Sequence, residues 1–507
     1  MFDNVDELAT IGVNNTDGAT TVDFTSSVLD GSDDTVNIAL KAADGGAVTV
    51  DTNGAETVAV SATGDASSKT GTIDGGNAET IKIGGDQDIE IGGLNNNFET
   101  VDASNAGGAV TANLTGPDGN VDLTVTGSGQ DDSFKVDGTD EDDSIDGGEG
   151  DDTVTNDGGA FEGTTLNDVE VLDNINQTGT VTVDLTNAEE ITNVEISGQS
   201  ITDFELTNLN ADSTITFDTD DLIIGTTSGN TLEATLADDD GSSDSIAFAF
   251  EGNGKFSQSG TDLDIGDVEE LAIEANQAGG ATFDGTIGNI GETGVNVLEE
   301  VTLSGTDAIN FNQVDLVAGG TQPDELEVDA SDAAQLVFNA GGSLLQTTGD
   351  LEVTAGNGND GVNLSSFAGE ENVTVDLGGG NNTFTISTAN TGDVEISGGD
   401  GNDVVSAEGT GDAEIDLGGG TNEITIHGGS DTIAFGGSTT LEYADATAIG
   451  EGSGSDDTFQ NFETDSDDVI QFSSGDLDEG LAAGSTLNEV ATDATINDGE
   501  ALVEING

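Results

Sequence analysis

The stretch Asp393-Val-Glu-Ile-Ser-Gly-Gly-Asp-Gly-Asn-Asp403 joins a short run of alternating apolar and polar residues to a glycine-rich turn. Nearly the same phrase occurs four times, so that Asp360, Asn382, Asp403 and Asn422 recur every 19 to 22 residues. A second short β-branched run follows each turn. Because a two-strand repeat of about 20 residues cannot bury its own apolar face, consecutive repeats are predicted to stack as coils of a β-solenoid.

The same period-two alternation extends outward through the rest of the chain. Val181-Thr-Val-Asp-Leu185 and Val373-Thr-Val-Asp-Leu377 are identical phrases, and sustained helical periodicity is nearly absent. Gly, Asn and Asp mark the turns, since the chain has only two prolines. We therefore expect an all-β fold, a right-handed parallel β-solenoid of the β-roll or β-helix kind.

Three regions are predicted from the regularity of the repeats. Residues 1–345 form an irregular solenoid, in which an acidic residue followed by Thr or Glu and an aliphatic run recurs, as at 56–60 and 299–303. Residues 346–436 hold the regular coils. Residues 437–507 lose the period and are predicted to cap the solenoid and to carry a type I secretion signal.

The glycine-rich turns follow a nine-residue pattern, G-G-x-G-x-D-x-U-x, in which U is a large apolar residue. Residues 398–406 and 147–155 match every fixed position, and residues 127–135, 138–146 and 355–363 match most of them. Two later copies carry Asn382 and Asn422 in place of the Asp, which leaves ion binding there in question. The U residues are predicted to point inward and stack between coils: Phe134, Ile145, Val154, Val362, Phe384, Val405 and Ile424.

This combination of residues points to Ca²⁺. Glycines let the backbone bend so that its carbonyl oxygens converge, and the Asp adds a hard anionic oxygen to the all-oxygen shell that Ca²⁺ prefers. An ion shared by successive turns would couple turn ordering to coil stacking. The simpler alternative is an Asp that hydrogen-bonds its own turn. The candidate metal-site residues, the last two from shortened copies of the pattern, are Asp132, Gly138, Asp143, Gly147, Gly148, Gly150, Asp152, Gly356, Gly358, Asp360, Asn382, Gly398, Gly399, Gly401, Asp403, Asn422, Asp431 and Asp457.

In these nonapeptides, at residues 127–155 and 355–425, the chain resembles the repeats-in-toxin (RTX) calcium-binding family. Its Thr-, Val- and Ala-rich coils resemble, within that family, the calcium-dependent surface-layer (S-layer) proteins of Gram-negative bacteria. The resemblance implies a secreted, extracellular protein that leaves the cell by a one-step type I route and folds on meeting external Ca²⁺. It also implies self-association into a cell-surface lattice, with outer-membrane polysaccharide as a further partner.

Composition narrows the function classes. The 507 residues include 103 Asp and Glu against 5 Lys and Arg, a formal net charge of −98. This balance excludes a nucleic-acid binder, because nothing in the chain would neutralise phosphates. There is no Cys and one His, His427, and neither a G-x-S-x-G elbow nor a His/Glu metal motif occurs, so we expect no enzyme. No apolar run is long enough to span a bilayer.

Four alternatives stay open at this point. A filament-forming or adhesive RTX matrix protein shares every feature of a lattice subunit. An RTX-type enzyme would need a catalytic domain beside the repeats. An ice- or glycan-binding face would need a flat ladder of Thr or aromatic side chains. The acidic excess outside the turns is also typical of a solvated surface adapted to high salt.

Overall fold

The computed structural model describes residues 2–5, 8, 10–14, 18–25, 27–43, 46, 48–51, 54–95, 97–116, 122–218, 231–237, 243–252, 256–257, 262–265, 268–276, 279–283, 287–288, 298–314, 325–340, 349–367, 369–443, 457–461 and 468–472. Every regular element among these residues is a β-strand. Within this described part, no helix is long and apolar enough to cross a membrane. Most of the predicted secretion signal, residues 473–507, lies outside the described residues.

The strands are numbered in the order in which they follow one another along the chain. The first eleven are β1 (Phe2–Val5), β2 (Ile11–Asn14), β3 (Thr20–Phe24), β4 (Thr35–Lys41), β5 (Val48–Asp51), β6 (Thr57–Ala62), β7 (Ser68–Asp74), β8 (Thr80–Gly85), β9 (Ile89–Leu94), β10 (Thr100–Ala106) and β11 (Val110–Asn113). The next ten are β12 (Thr124–Thr126), β13 (Ser133–Val136), β14 (Ser144–Asp146), β15 (Thr153–Asp157), β16 (Phe161–Glu162), β17 (Thr165–Asn167), β18 (Val171–Asp184), β19 (Asn193–Leu209), β20 (Ser213–Asp218) and β21 (Thr231–Leu236).

The remaining strands become more regular toward the end of the chain. These are β22 (Ser245–Glu251), β23 (Phe256–Ser257), β24 (Asp262–Asp264), β25 (Glu270–Ala275), β26 (Ala281–Phe283), β27 (Ile287–Gly288), β28 (Glu300–Val314), β29 (Glu325–Ala340), β30 (Asp350–Thr354) and β31 (Gly361–Leu364). They continue with β32 (Val373–Asp376), β33 (Thr383–Ile386), β34 (Val394–Ser397), β35 (Val404–Ala407), β36 (Ala413–Asp416), β37 (Thr421–Ile426), β38 (Thr432–Ala434), β39 (Ser438–Tyr443), β40 (Thr458–Gln460) and β41 (Val469–Phe472).

The chain divides into two compact units. The first comprises Met1–Leu222 and Glu233–Asp240, and the second comprises Ile223–Leu232 and Gly241–Gly507. The sequence marks no composition shift at this division, and the three regions predicted from repeat regularity stay a prediction.

The first unit is built from coils that place alternate strands in different rows. Strands β2, β4, β6, β8, β10, β12, β14 and β17 form an eight-stranded sheet in that order. Strands β1, β3, β5, β7, β9, β11, β13 and β15 pair successively in a second row, and all these pairings are parallel. One in-register column of the eight-stranded sheet is Val36, Val58, Ile81, Val101, Val125, Ile145 and Leu166. All of these are at most 3% exposed, so the core is a stack of aliphatic side chains.

The second unit repeats this plan with more uniform coils. Strands β30, β32, β34, β36, β38 and β40 pair in parallel in one row, and β31, β33, β35, β37, β39 and β41 pair in another. The longer β28 and β29 contribute to both rows. Burying a single Val, Ile or Phe side chain contributes roughly 1.5–3 kcal/mol, and each coil adds several. The predicted parallel β-solenoid is confirmed.

The predicted inward residues are also confirmed as core. Val362, Phe384, Val405 and Ile424 occupy one in-register column and are at most 1% exposed. Phe134 and Val154 pair in the same way in the first unit. Ile145 is equally buried but belongs to the column of the eight-stranded sheet, because the copy at 138–146 lies on a different side of the coil from its neighbours.

Candidate metal centres

The Asp and Asn residues that end the regular repeats form a column inside the turns. Asp360, Asn382, Asp403 and Asn422 lie in successive coils and are at most 2% exposed. The backbone N–H of each donates to the side-chain Oδ1 of the next, over 2.8 Å for Asp360 to Asn382, 2.9 Å for Asn382 to Asp403 and 3.0 Å for Asp403 to Asn422. We call this column the inner ladder. It ties each coil to its neighbour through a buried side chain.

Two shorter ladders of the same kind contain other predicted residues. In the first unit, the N–H of Asp132 donates to Asp152 Oδ1 over 2.6 Å, and the N–H of Asp152 donates to Glu170 Oε2 over 2.6 Å. In the second unit, the N–H of Asp431 donates to Asp457 Oδ1 over 3.0 Å. The structure therefore groups the predicted side chains by ladder.

Three of the predicted carboxylates keep a second oxygen without a partner. Oδ2 of Asp152, Asp360 and Asp403 is buried and accepts no hydrogen bond from the described residues. Burial raises the pKa of Asp152 to about 6 and raises the pKa of Asp360 and Asp403 above the usual range. A buried, unpaired carboxylate oxygen is costly unless a proton or a cation satisfies it.

In both turns that match the pattern fully, this oxygen faces the first glycine. A Cβ added to Gly398 would lie 3.1 Å from Asp403 Oδ2, and a Cβ added to Gly147 would overlap Asp152 Oδ2. The unpartnered oxygens therefore point into the glycine-rich turns.

Other predicted carboxylates are satisfied by the protein itself. Asp132 accepts hydrogen bonds from the N–H and the Oγ–H of Ser128. The two oxygens of Asp143 accept from the N–H groups of Leu123, over 2.7 Å, and Asp140, over 3.0 Å.

The last ladder is satisfied in part by the single tyrosine. The hydroxyl of Tyr443 donates to Asp457 Oδ2 over 2.6 Å. Asp431 accepts the N–H of Ala413 over 2.9 Å, and burial, with Asp457 and Asp412 nearby, raises its pKa to about 7. The predicted set therefore divides into residues that have protein partners and three open carboxylates.

The turn glycines are required by close stacking of successive coils. A Cβ on Gly401 would overlap the carbonyl oxygen of Gly380, and a Cβ on Gly380 would overlap that of Gly358. Gly356 and Gly399 face backbone carbonyls of the preceding coil in the same way, and Gly358 faces the carbonyl of Ala334. In the first unit, Gly138, Gly148 and Gly150 have φ values of 79°, 107° and 138°, which side chains rarely adopt. Backbone bending and backbone contact both select glycine here.

The donor set limits what kind of ion these turns can hold. No group of three or more His, Cys, Asp or Glu side chains is placed to hold a metal anywhere in the described ranges. A cation would therefore be bound by one carboxylate oxygen together with backbone carbonyls. The open oxygens of Asp152, Asp360 and Asp403 lie in glycine-rich turns, two of them facing the first glycine, and fit a hard cation of this kind.

Further ladder residues, which the nonapeptide pattern does not mark, lie in the irregular coils. In each case a Glu that begins or precedes an aliphatic run accepts the N–H of an Asp from another coil. The pairs are Asp34 to Glu56, Asp152 to Glu170, Asp168 to Glu190 and Asp244 to Glu269, at 2.6–2.9 Å. The sequence signal for these Glu residues is the recurring acidic residue before Thr, Glu or an aliphatic residue, and in the structure this residue lies where one coil stacks on another.

A second ladder lies on the exposed side of the regular turns. The N–H of Asn381 donates to Asn359 Oδ1, and the N–H of Asn402 donates to Asn381 Oδ1, both over 2.8 Å. We call this column the outer ladder. Its residues stand one position before those of the inner ladder, so each regular turn contributes a buried and an exposed rung.

Comparison with known proteins gives no relative from which a role could be transferred. No family model, no curated protein and no solved structure matches this chain. The inference of function therefore depends on the solenoid and its turns.

Proposed function

We propose that this chain is an extracellular structural protein that binds Ca²⁺ in its glycine-rich turns and associates with itself in a cell-surface layer. The observation that carries the proposal is the buried, unpartnered Oδ2 of Asp152, Asp360 and Asp403. Each of these oxygens belongs to a turn that matches the calcium-binding pattern wholly or in all but one position.

The choice of Ca²⁺ follows from the ligand chemistry. Carboxylate and carbonyl oxygens in a flexible loop suit Ca²⁺, whereas Mg²⁺ demands near-octahedral geometry and keeps several waters. Basic side chains are too few for this role. The ion pairs within the described ranges are Lys69 with Glu90 and Lys135 with Asp157, and neither Lys pairs with an open carboxylate.

Calcium would act on folding through the charge of the chain. At a net charge of −98, the chain repels itself when divalent cations are scarce. An ion bound between stacked turns removes a buried uncompensated charge and joins two coils, so binding free energy becomes folding free energy. A protein of this kind would stay expanded inside the cell and fold after export.

Self-association is proposed on the remaining charge and on the resemblance to S-layer proteins. Ions in the three open turns would offset only a small part of the net charge of −98, which leaves an anionic surface. Further cations can then bridge carboxylates of neighbouring copies. Nothing in this proposal requires catalysis, and the turns are assigned a structural role.

The test is a Ca²⁺ titration of the purified full chain from chelator to about 10 mM, the range of extracellular calcium modules and above. Circular dichroism reports β-structure, negative-stain microscopy reports assembly, and Mg²⁺ and NaCl serve as control cations. We expect β-structure and ordered sheets with Ca²⁺ alone. Fibres instead of sheets would favour a filament-forming matrix protein.

A matched pair of variants shows whether the open turns are responsible. The triple variant D152N/D360N/D403N removes the three buried charges and is expected to lose most of the calcium response. The control D151N/D350N/D393N removes three exposed charges from the same coils and should respond as wild type does. Complete β-structure of the wild type in chelator at low salt would refute the proposal.

A further inference from the structure

We propose that Asn382 and Asn422 keep their turns free of bound ions, with the amide of Asn422 in the place of an ion, so that calcium is confined to coils that are not adjacent. This inference rests on the proposed calcium function and specifies which turns use it. On this view, the Asn residues in the repeat are neutral rungs of the inner ladder and separate the turns that bind ions.

The side chain of Asn422 links its turn to the ladder and to the next coil, as a bound ion would. Its Oδ1 accepts the N–H of Asp403 over 3.0 Å, as an Asp oxygen does elsewhere in the ladder. Its Nδ2 donates to the carbonyl oxygen of Gly419, in its own turn, at 3.4 Å and to that of Gly436, in the next coil, at 3.5 Å. An ionised carboxylate has no hydrogen to donate, so at an Asp position a cation, or a proton on the carboxyl group, is needed to join these carbonyls to the ladder.

The same register locates the equivalent carbonyls at an Asp turn. Gly419 and Gly436 lie three residues before Asn422 and Thr439, which are partners in adjacent strands. The corresponding positions for Asp403 are Asp400 and Gly419, and these two residues form a parallel bridge. The carbonyls of Asp400 and Gly419 and the open Oδ2 of Asp403 are therefore the oxygens we assign to an ion in that turn.

Asn382 lies between the two open carboxylates of the regular coils. It is 1% exposed, and its Oδ1 accepts the N–H of Asp360. Its Nδ2 has no hydrogen-bond acceptor in the described structure, yet it lies near enough to Asp403 to counter part of the burial that raises the pKa of that carboxyl. An Asp at this position would place three buried carboxylates in consecutive coils.

The first unit reaches the same spacing with a different residue. Ser128 occupies the second glycine position of its turn, and its N–H and Oγ–H satisfy Asp132. The next Asp of that ladder, Asp152, is open. Where the preceding coil also contributes a motif residue to the ladder, that residue is therefore either satisfied by the protein, as Asp132 is before Asp152, or uncharged, as Asn382 is before Asp403.

The spacing has a physical reason. Adjacent strands lie about 4.8 Å apart, so ions in successive coils need bridging carboxylates to offset their mutual repulsion, and Asn382 and Asn422 supply none. Alternating a neutral rung with an ion-binding rung keeps the coils in contact and separates the ions by two coils. The repeat therefore needs fewer ions than it has turns.

The experiment counts Ca²⁺ per chain by equilibrium dialysis and mass spectrometry of the metal, on full-length variants whose folding in Ca²⁺ is checked by circular dichroism. N382D and N422D are each expected to bind one ion more than wild type and to need more Ca²⁺ to fold. The control N381D makes the same chemical change on the exposed outer ladder and should leave the count unchanged. D360N and D403N carry an amide that the ladder already accepts, so they should fold and each lose one ion.

The outcomes separate this inference from the function on which it rests. Absence of Ca²⁺ binding by the wild type would overturn the proposed function itself. Calcium-dependent folding with an unchanged count in D403N would overturn the assignment of ions to the open carboxylates, on which both proposals rest. If folded N422D bound as many ions as wild type, the present inference alone would be overturned. If N382D and N422D do not fold, the count for the wild type decides, because one ion per open carboxylate supports the inference and one ion per glycine-rich turn overturns it.

Discussion

The outward faces of the two units differ in one column of side chains. In the eight-stranded sheet of the first unit, the first outward position of successive strands is a hydroxyl residue, and this Thr column consists of Thr35, Thr57, Thr80, Thr100, Thr124, Ser144 and Thr165. In the second unit the equivalent column is mostly acidic. This Glu column consists of Glu270, Glu300, Glu327, Glu352, Thr374, Glu395, Glu414 and Thr432.

Apolar burial favours stacking of the coils in both units, and outward carboxylates oppose it in the second. Both units bury in-register columns of Val, Ile, Leu and Phe, so the apolar contribution per coil is similar. Hydroxyl groups stack in register without charge repulsion, whereas carboxylates directly opposite each other are destabilising. Burial raises the pKa of Glu327, and Glu300 and Glu352 raise it further. We therefore expect the second unit to depend more strongly on cations than the first.

The Thr column also bears on one alternative that the sequence left open. An ice- or glycan-binding face needs a regular ladder, and the in-register hydroxyls supply one that is a single residue wide. The next outward column reads Asn37, Ala59, Lys82 and Asp102, a mixture of amide, methyl and charged groups. This mixture does not extend the ladder, so the structural role remains the better supported proposal.

Removing divalent cations should have the largest effect and should act mainly on the second unit. In chelator at low ionic strength, we expect amide protons of β30 to β37 to lose protection by about a hundredfold or more, because their open carboxylates and the Glu column lack counter-ions. Amides of β4, β6, β8 and β10 should lose much less. Hydrogen exchange of the full chain, read by mass spectrometry, gives both regions in one sample. An equal loss of exchange protection in both regions would show that the two columns do not differ in their dependence on cations.

Much of this contrast could be predicted from the sequence, and part of it could not. Alternation and the repeat period predicted the coils, and Phe384 and Val405 were correctly assigned to the core. The nonapeptide identified the turn positions, but it treated Asp132 and Asp403 alike. Only the fold shows that Ser128 satisfies the first and nothing among the described residues satisfies Oδ2 of the second. The outward columns were missed because register between distant repeats depends on coil stacking, which loosely spaced repeats do not specify.

Lowering the pH should restore part of the cation-free structure, with an intermediate effect. Burial raises the folded-state pKa of Asp152 to about 6, from the ordinary value of 3.8, and raises the pKa of Asp360 and Asp403. A raised pKa means that the folded state binds the proton more tightly, so this stabilisation is complete below about pH 4 and is lost as the pH rises through about 6. In chelator, exchange protection in β15, which follows Asp152, should therefore be higher at about pH 5.5 than at about pH 7.5, and protection in β30 to β37 should also rise as the pH falls.

A variant separates this effect from the general loss of charge near the isoelectric point. The triple variant D152N/D360N/D403N has no carboxyl to protonate at these positions, so its protection should change much less over the same interval. An unchanged pH response in the triple variant would assign the effect to the surface carboxylates. Strand β6 carries no titratable group, so it provides an internal reference.

Exchanging the outward residues should give the smallest effect, with a sign that depends on whether a carboxylate is removed or added. Glu327→Thr removes one carboxylate from between Glu300 and Glu352, and we expect it to stabilise the second unit in chelator by about 0.5–1 kcal/mol. Thr80→Glu inserts a lone carboxylate between Thr57 and Thr100 and should cost less, because no like charge lies directly opposite it. Thr374→Glu completes a run of acidic residues from Glu352 to Glu395 and should destabilise by a similar 0.5–1 kcal/mol. Local exchange free energies measure all three.

At about 1 M NaCl the differences in stability between these variants and wild type should shrink, because salt then screens charges over a few ångströms. A difference that does not depend on salt would show that packing, and not charge, distinguishes the two columns.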